Sequence, residues 1–506
     1  MADARFKPGA VAAAPRMYTR WFLPLAVLIF LLAFGLRVRN LGAASLWADE
    51  AWTATWAASD FGDMLRTTVL RRASIELPLY LSSLRLFPTT NEVLLRFPSV
   101  AVSLIGISAF MLLLKQIKRD PFLILWGGAV LATNPLHVWL SRTARPYAYF
   151  FALTVFVVFF FLLLLKGRRS RAIWAGFIMC SLLVYLTHYF ALFLPVVQYL
   201  LLGLQFRRYR TLLRPWLVAQ ILASLGLLFT WLVQLWLNNP IAAGIAWIPD
   251  PKPVDLFLSL GNMLVGYTGT PTWYLLAGLL SGAIGFSVGV ARSLALRDAG
   301  DLFGVLLTAI PLISTFILSK LLHPIYVDRY LFEAQVGVLM VMLSGWWWLP
   351  QVRWRHALAL IVVMSGLLDV WHTFSTGNYQ REDWRAATDY IANHFLPGDL
   401  IVLDIAFNDF AFRYYFEEDD IPRITVQAAD TAAEAGFTRL WAIYRNPIED
   451  AHRQGAMPEF DPFDPTHSPM GKWLAAHQDR VLRRADFTGI SVMLLAHEQT
   501  PPDDPG

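Results

Sequence analysis

Charge is scarce in this chain of 506 residues: Asp, Glu, Lys and Arg together make up 16%, where soluble domains carry roughly 25%. Cysteine is scarcer still. With Cys180 alone, no intrachain disulfide can form, and no Cys/His spacing of the zinc kind occurs. Cys180 lies in an apolar run, where packing is its ordinary role. Internal repeats are absent, and no small-residue cleavage site follows the first apolar run, which therefore reads as a retained span. Hydrophobic residues make up 56%, and they are gathered in long runs. A net charge of +5 is what basic loops leave behind and does not call for nucleic acid.

About 20 mostly apolar residues cross a bilayer. Hydropathy places about eleven such runs, near 21–38, 97–114, 121–140, 146–165, 172–187, 189–206, 215–237, 273–291, 302–320, 327–348 and 356–372. Basic residues fall between alternate pairs of runs: Lys115, Lys118 and Arg119; Lys166 to Arg171; Arg207 to Arg214; Arg292 and Arg297; Arg353 and Arg355. That face is expected to be cytoplasmic, together with the N-terminus. Arg37 and Arg39 depart from the pattern. The expected architecture is an α-helical polytopic inner-membrane protein over residues 1–372. A small α/β domain over 373–498 follows on the outer side, with "LIVLDI" and "RLWAIY" as strands and 431–436 helical. Residues 499–506 read as a disordered tail.

The first outer loop, from about 38 to 97, is far longer than an ordinary connection, and long loops are usually functional. It holds Asp49, Glu50, Arg66, Arg71, Arg72, Glu76 and Tyr80. Other outer segments bring Arg142, Arg145 and Tyr147, His188 and Tyr189, Trp247, Lys320, and Arg329 with Tyr330. Each alone has a plainer reading. Arginines snorkel, tryptophans form interfacial belts, His188 fits a turn, and Asp49 with Glu50 fits a helix cap. Together they are harder to dismiss, because cations on the outer side oppose the positive-inside bias and ask for partners.

Arginine forks and lysines suit a phosphate, and a carboxylate within reach of a hydroxyl can deprotonate it. Consecutive helical residues point about 100° apart, so Asp49 and Glu50 are expected to divide their tasks, one a base and the other an anchor. This set suits transfer of a sugar from a lipid phosphate to a hydroxyl. The rival readings are a transporter or flippase of lipid-linked sugars, which calls for ionisable groups at mid-membrane depth, and a non-catalytic scaffold.

The series "SLWADEAWTA", "ELPLYL", "NEVLLRFPSV", "NPLHVWLSRTARPYAYF", "LTHYFALFLP", "DRYLFEAQ" and "REDWRAATDYI" resembles, in order, the C-superfamily multi-span glycosyltransferases. The family 39 branch, with protein O-mannosyltransferases and lipid A aminoarabinose transferases, is the nearer match. The resemblance implies a glycosyltransferase with a polyprenyl-phosphate-linked donor; the sugar, a hexose or pentose, and the acceptor, a glycan, lipid or protein in lipopolysaccharide modification or protein glycosylation, do not follow from it. It implies Asp49 as the catalytic base and arginines such as Arg145 and Arg329 on the lipid phosphate. Family members often have His where Glu76 stands and a Gln-Glu-Ala-Arg run where Arg142 to Arg145 stands. No cofactor is expected. A divalent metal on Asp49 and Glu50 is the alternative.

Overall fold

The computed structural model of the chain describes residues 16–70, 78–236, 248–266, 272–375, 382–416, 421–429, 437, 439–446, 461–466 and 468–496. Arg71, Arg72, Glu76, Trp247, the expected 431–436 helix and the 499–506 tail lie outside these residues. In chain order, α1 (Arg16–Val38) leads to three short helices of the first loop, α2 (Ala48–Ala58), α3 (Phe61–Leu65) and α4 (Pro78–Leu84). Next come α5 (Glu92–Ile117), α6 (Pro121–Thr133), α7 (Pro135–Ser141), α8 (Tyr147–Leu165), α9 (Arg171–Tyr185) and α10 (Phe193–Leu204). The helical part closes with α11 (Phe206–Trp236), α12 (Pro253–Leu264), α13 (Trp273–Leu296), α14 (Ala299–Leu321), α15 (Phe332–Trp348) and α16 (Val352–Ser375).

Six of these helices, α1, α5, α8, α13, α14 and α16, are long and apolar enough to cross a membrane, and the bent pair α6–α7 makes a seventh if it is one span. That defines a polytopic integral membrane protein. Eleven crossings is a finer count than length and hydropathy carry, since α9 has 15 residues and α15 has 17. Small residues let α13 and α15 touch: a Cβ on Gly345 would sit 1.8 Å from the Gly285 carbonyl oxygen, the close approach typical of membrane helix pairs.

The bundle has two chemically different ends. At one, the basic loops meet: Lys118 stacks on Trp348 at 4.2 Å, Arg292 lies 5.5 Å from the same ring, and Gln205 donates to the Arg297 carbonyl at 2.8 Å. At the other end lie the first loop and the starts of α8 and α15. The two arginines that depart from the charge pattern are absorbed there. Arg37 is buried and donates to the Ala33 and Ala132 carbonyls and to His137 Nδ1, at 2.9, 3.0 and 2.8 Å, and Arg39 stacks on Trp371 at 4.2 Å.

Beyond α16, the C-terminal part comprises α17 (Trp384–Ala392), β1 (Asp399–Leu403), α18 (Asp409–Tyr415), β2 (Arg423–Thr425), β3 (Arg439–Arg445), α19 (Pro469–Ala476), β4 (Val481–Phe487) and β5 (Ile490–Ala496). The sheet order is β2-β1-β3-β5-β4, parallel across β2, β1 and β3 and antiparallel beyond. Side chains alternate between its faces. Leu400, Val402, Leu440 and Ala442 pack with Met470 and Leu474 of α19. Ile401, Leu403, Trp441 and Ile443 face Trp384 and Phe412, and that core runs on into Leu46, Ala51, Trp52, Tyr80 and Leu81 of the first loop. One apolar core therefore joins the C-terminal sheet to the loop that carries the acidic pair.

Candidate active site

The acidic pair opens α2, where carboxylates suit the positive end of the helix dipole. The helix separates the two. Glu50 is 1% exposed and accepts the Arg96 fork, Nε to Oε1 at 2.9 Å and Nη2 to Oε2 at 2.6 Å. Its Oε1 also accepts from the Ala144 amide at 2.6 Å. Arg96 spends its remaining donors on the Leu41, Ala44 and Ser45 carbonyls, at 2.8 to 3.0 Å, so all five of its N–H groups are used. The pair bolts α2 to α5 and to the turn before α8.

Asp49 faces the other way and its side chain is 21% exposed, with Oδ2 3.5 Å from Arg145 Nη2. Arg145 also donates to the Asp49 carbonyl at 3.1 Å and to Thr53 Oγ1 at 3.3 Å. The turn that presents Arg145 has a local cause. Asn134 precedes Pro135, and a residue before proline avoids the helical region, so Asn134 turns extended, with ψ 120°, and caps α7 through its side chain. The helix bends by 61° there and ends at Arg142. Tyr80 steadies this turn through Ser99: the two hydroxyls are 3.1 Å apart, and Ser99 donates to the Arg145 carbonyl at 3.3 Å.

Arg145 and Arg329, both buried, lie with their guanidinium carbons 5.9 Å from the Trp47 ring. Arg329 is also 5.4 Å from the ring of Tyr330. Tyr330 in turn is 5.6 Å from the His188 ring, which lies 6.3 Å from Tyr147. Burial, and then the Arg145 charge, pulls His188 down to about 3, so the imidazole is neutral at physiological pH. Its Nδ1 accepts from the Phe190 amide at 3.2 Å, which puts the proton on Nε2, and Nε2 has no hydrogen-bond partner among the described residues.

Asp49, Arg145, Tyr147, His188, Arg329 and Tyr330 thus come together, Tyr80 and Glu50 support them, and Tyr189 adjoins His188 in the turn before α10. Arg142 instead secures the end of α1, donating to the Leu36 and Arg37 carbonyls at 2.9 and 3.1 Å and stacking on Phe374. Arg66 pairs with Asp63 at 3.1 Å and Lys320 with Asp250 at 2.5 Å, both on exposed surface, and neither makes a described contact with the cluster. Arg96 was missed from sequence. Its signal is an arginine one turn inside a membrane helix, in "NEVLLRFPSV". Among the described residues no three His, Cys, Asp or Glu side chains group as metal ligands, and both oxygens of Glu50 are committed to Arg96 and the Ala144 amide.

No protein-family model and no curated protein matches the chain. Solved structures do. ArnT from Cupriavidus metallidurans in the apo state superposes with a TM-score of 0.54 at 12% identity, covering 97% of this chain and 100% of its own. The oligosaccharyltransferase AglB from Archaeoglobus fulgidus, in complex with an inhibitory peptide and a dolichol-phosphate, gives 0.51 at 11% identity, covering 96% of this chain and 76% of its own. The same archaeon's oligosaccharyltransferase with Zn and sulfate gives 0.52 at 11% identity over 86% and 70%. At such identity the likeness is one of fold. The chain shares its fold with ArnT and with the archaeal oligosaccharyltransferase.

Proposed function

We propose that this protein transfers a sugar from a polyprenyl-phosphate carrier to a hydroxyl on the outer side of the membrane. The observation that carries the reading is the partly exposed Asp49 carboxylate, 3.5 Å from the buried Arg145, with Arg329 and Arg145 both 5.9 Å from the Trp47 ring and His188 Nε2 without a hydrogen-bond partner among the described residues. Asp49 takes the acceptor proton, and the acceptor oxygen bonds to the anomeric carbon as that carbon's bond to the phosphate oxygen breaks. The carrier phosphate leaves with the electron pair, and the anomeric carbon inverts. Arg145 and Arg329 stabilise the negative charge that grows on the leaving phosphate, which is electrostatic help of the kind preformed sites supply. His188 Nε2–H is a donor for a phosphate or sugar oxygen. Both arginines are largely dehydrated, so their forks need no solvent rearrangement when the phosphate arrives. The dolichol-phosphate in complex with AglB supports a lipid-phosphate ligand for this fold. The test is release of carrier phosphate coupled to acceptor glycosylation by the purified protein, and carrier transport without bond cleavage would favour the flippase reading.

The clamp makes a separate prediction. Arg145→Gln or Arg329→Gln should raise the donor KM about tenfold or more, with folding retained, and Lys should rescue poorly because it lacks the planar fork. Unaltered donor KM in both variants would return these residues to a packing role.

Orientation makes another. In a Cys180→Ala background, cysteine at Asp63 or Asp479 should react with an impermeant maleimide in intact cells, and cysteine at Arg208 should not. All three positions are exposed. Labelling at Arg208 alone would invert the topology and move the site to the cytoplasmic face.

A further inference from the structure

The helix that presents Asp49 lacks a cap of its own. Trp47 precedes it in extended conformation, and the Trp47 side chain makes no cap hydrogen bond. The acceptor comes from the C-terminal part of the chain, 334 residues away: Glu382 Oε2 accepts from the Ala48 amide at 3.3 Å. Glu382 is 7% exposed, and the rest of its bonding holds it in place. Oε2 also accepts from Trp384 Nε1 at 2.6 Å, and Oε1 accepts from Arg445 Nη1 at 3.2 Å. The Glu382 main-chain carbonyl accepts from Ser45 Oγ at 2.5 Å, and that oxygen accepts in turn from the Trp384 amide at 3.1 Å. These bonds thus hold residues 45 and 48 to the C-terminal part. A further bond runs from the Leu46 amide to the Tyr415 hydroxyl at 2.6 Å.

We infer that Glu382 is a positioning residue for Asp49, capping α2 from the C-terminal domain, so that the acid is set for reaction only while that domain is docked. The orphan amides of a helix start and the positive end of its dipole favour a carboxylate at this place. Gly, Ser and Asp are absent from the position before α2, where a local cap would stand. The inference also gives a task to the "REDWRAATDYI" segment. It rests on the reading of Asp49 as the base.

The test uses the full chain in detergent, with Glu382→Met, which keeps side-chain volume and removes the acceptor, and Glu382→Gln, which keeps an oxygen for the Ala48 amide. Arg445→Met is the control: it removes the bond on Oε1 and leaves the cap. A lost N-cap changes a local equilibrium by a factor of roughly 2 to 30. E382M should therefore lower kcat about tenfold with the donor KM within twofold, and speed amide exchange over residues 46–52 about tenfold with that over 399–403 unchanged. E382Q and Arg445→Met should stay within threefold of the native protein in both readouts. The inference is overturned if E382M leaves exchange over 46–52 at the native rate, if exchange over 399–403 rises equally, or if Arg445→Met matches E382M. Amide exchange needs no turnover. A native protein that transfers no sugar would therefore remove the transferase reading while the cap is still judged by exchange.

Discussion

Asp49→Asn should fold and bind the lipid donor as the native protein does, and transfer sugar roughly 10²–10⁴-fold more slowly, the range a positioned general base is worth. Its side chain contacts Arg145 at 3.5 Å and is partly solvated, so exchanging it for an isosteric amide disturbs little packing. The loss should appear in kcat with the donor KM nearly unchanged, because the proposed phosphate clamp lies on the arginines and not on Asp49. Measurement of initial rates and donor binding on one preparation separates the two. Full turnover by Asp49→Asn in chelator-treated membranes would sink the assignment. A rate in the native protein that collapses with chelator and returns with Mg²⁺ would instead move Asp49 from base to metal ligand.

The neighbouring acid should behave in the opposite way. Glu50 and Arg96 are 1% and 3% exposed, and removing one partner of such a pair leaves a buried charge unpaired, at a cost of about 3–5 kcal/mol. Against a total stability of about 5–15 kcal/mol for an ordinary domain, that is a large fraction. Glu50→Ala and Arg96→Met should each lower the unfolding midpoint in detergent and the yield of folded protein, with activity falling in step. The double variant Glu50→Leu/Arg96→Met should recover part of the stability, because no charge is then stranded. Arg96→Met with a native midpoint would show that the pair contributes nothing to the loop. The contrast is the diagnostic: one acid whose loss costs rate without stability, beside another whose loss costs stability first.

Much of the candidate site was legible because it is written in local motifs. Asp49, Arg145, His188, Arg329 and Tyr330 stood out as polar groups at the ends of apolar runs on the side where basic residues are sparse. The structure links these five through Arg145 and Arg329 beside Trp47 and Tyr330 beside Arg329 and His188. Arg66 and Lys320 carried the same kind of signal, and each pairs with a nearby exposed carboxylate instead, since a charge at a helix end is equally well satisfied by solvent and a neighbour. Arg96 and Glu382 were not legible as site residues. Their partners lie 46 and 334 residues away, and no periodicity or spacing encodes such a pairing.

Composition and hydropathy by themselves determined a membrane protein with many helices, a long first loop and an α/β end, because each of these follows from the solvent that a short stretch of chain can tolerate. The adjacency of Asp49 and Glu50 also guaranteed that the two would diverge, since successive helical residues point about 100° apart. Which acid would be buried was decided only by tertiary packing. The turn before α8 and the inner end of Arg96 meet one face of α2, and Glu50 lies on it. Asp49 lies off that face, and its side chain stays 21% exposed beside Arg145.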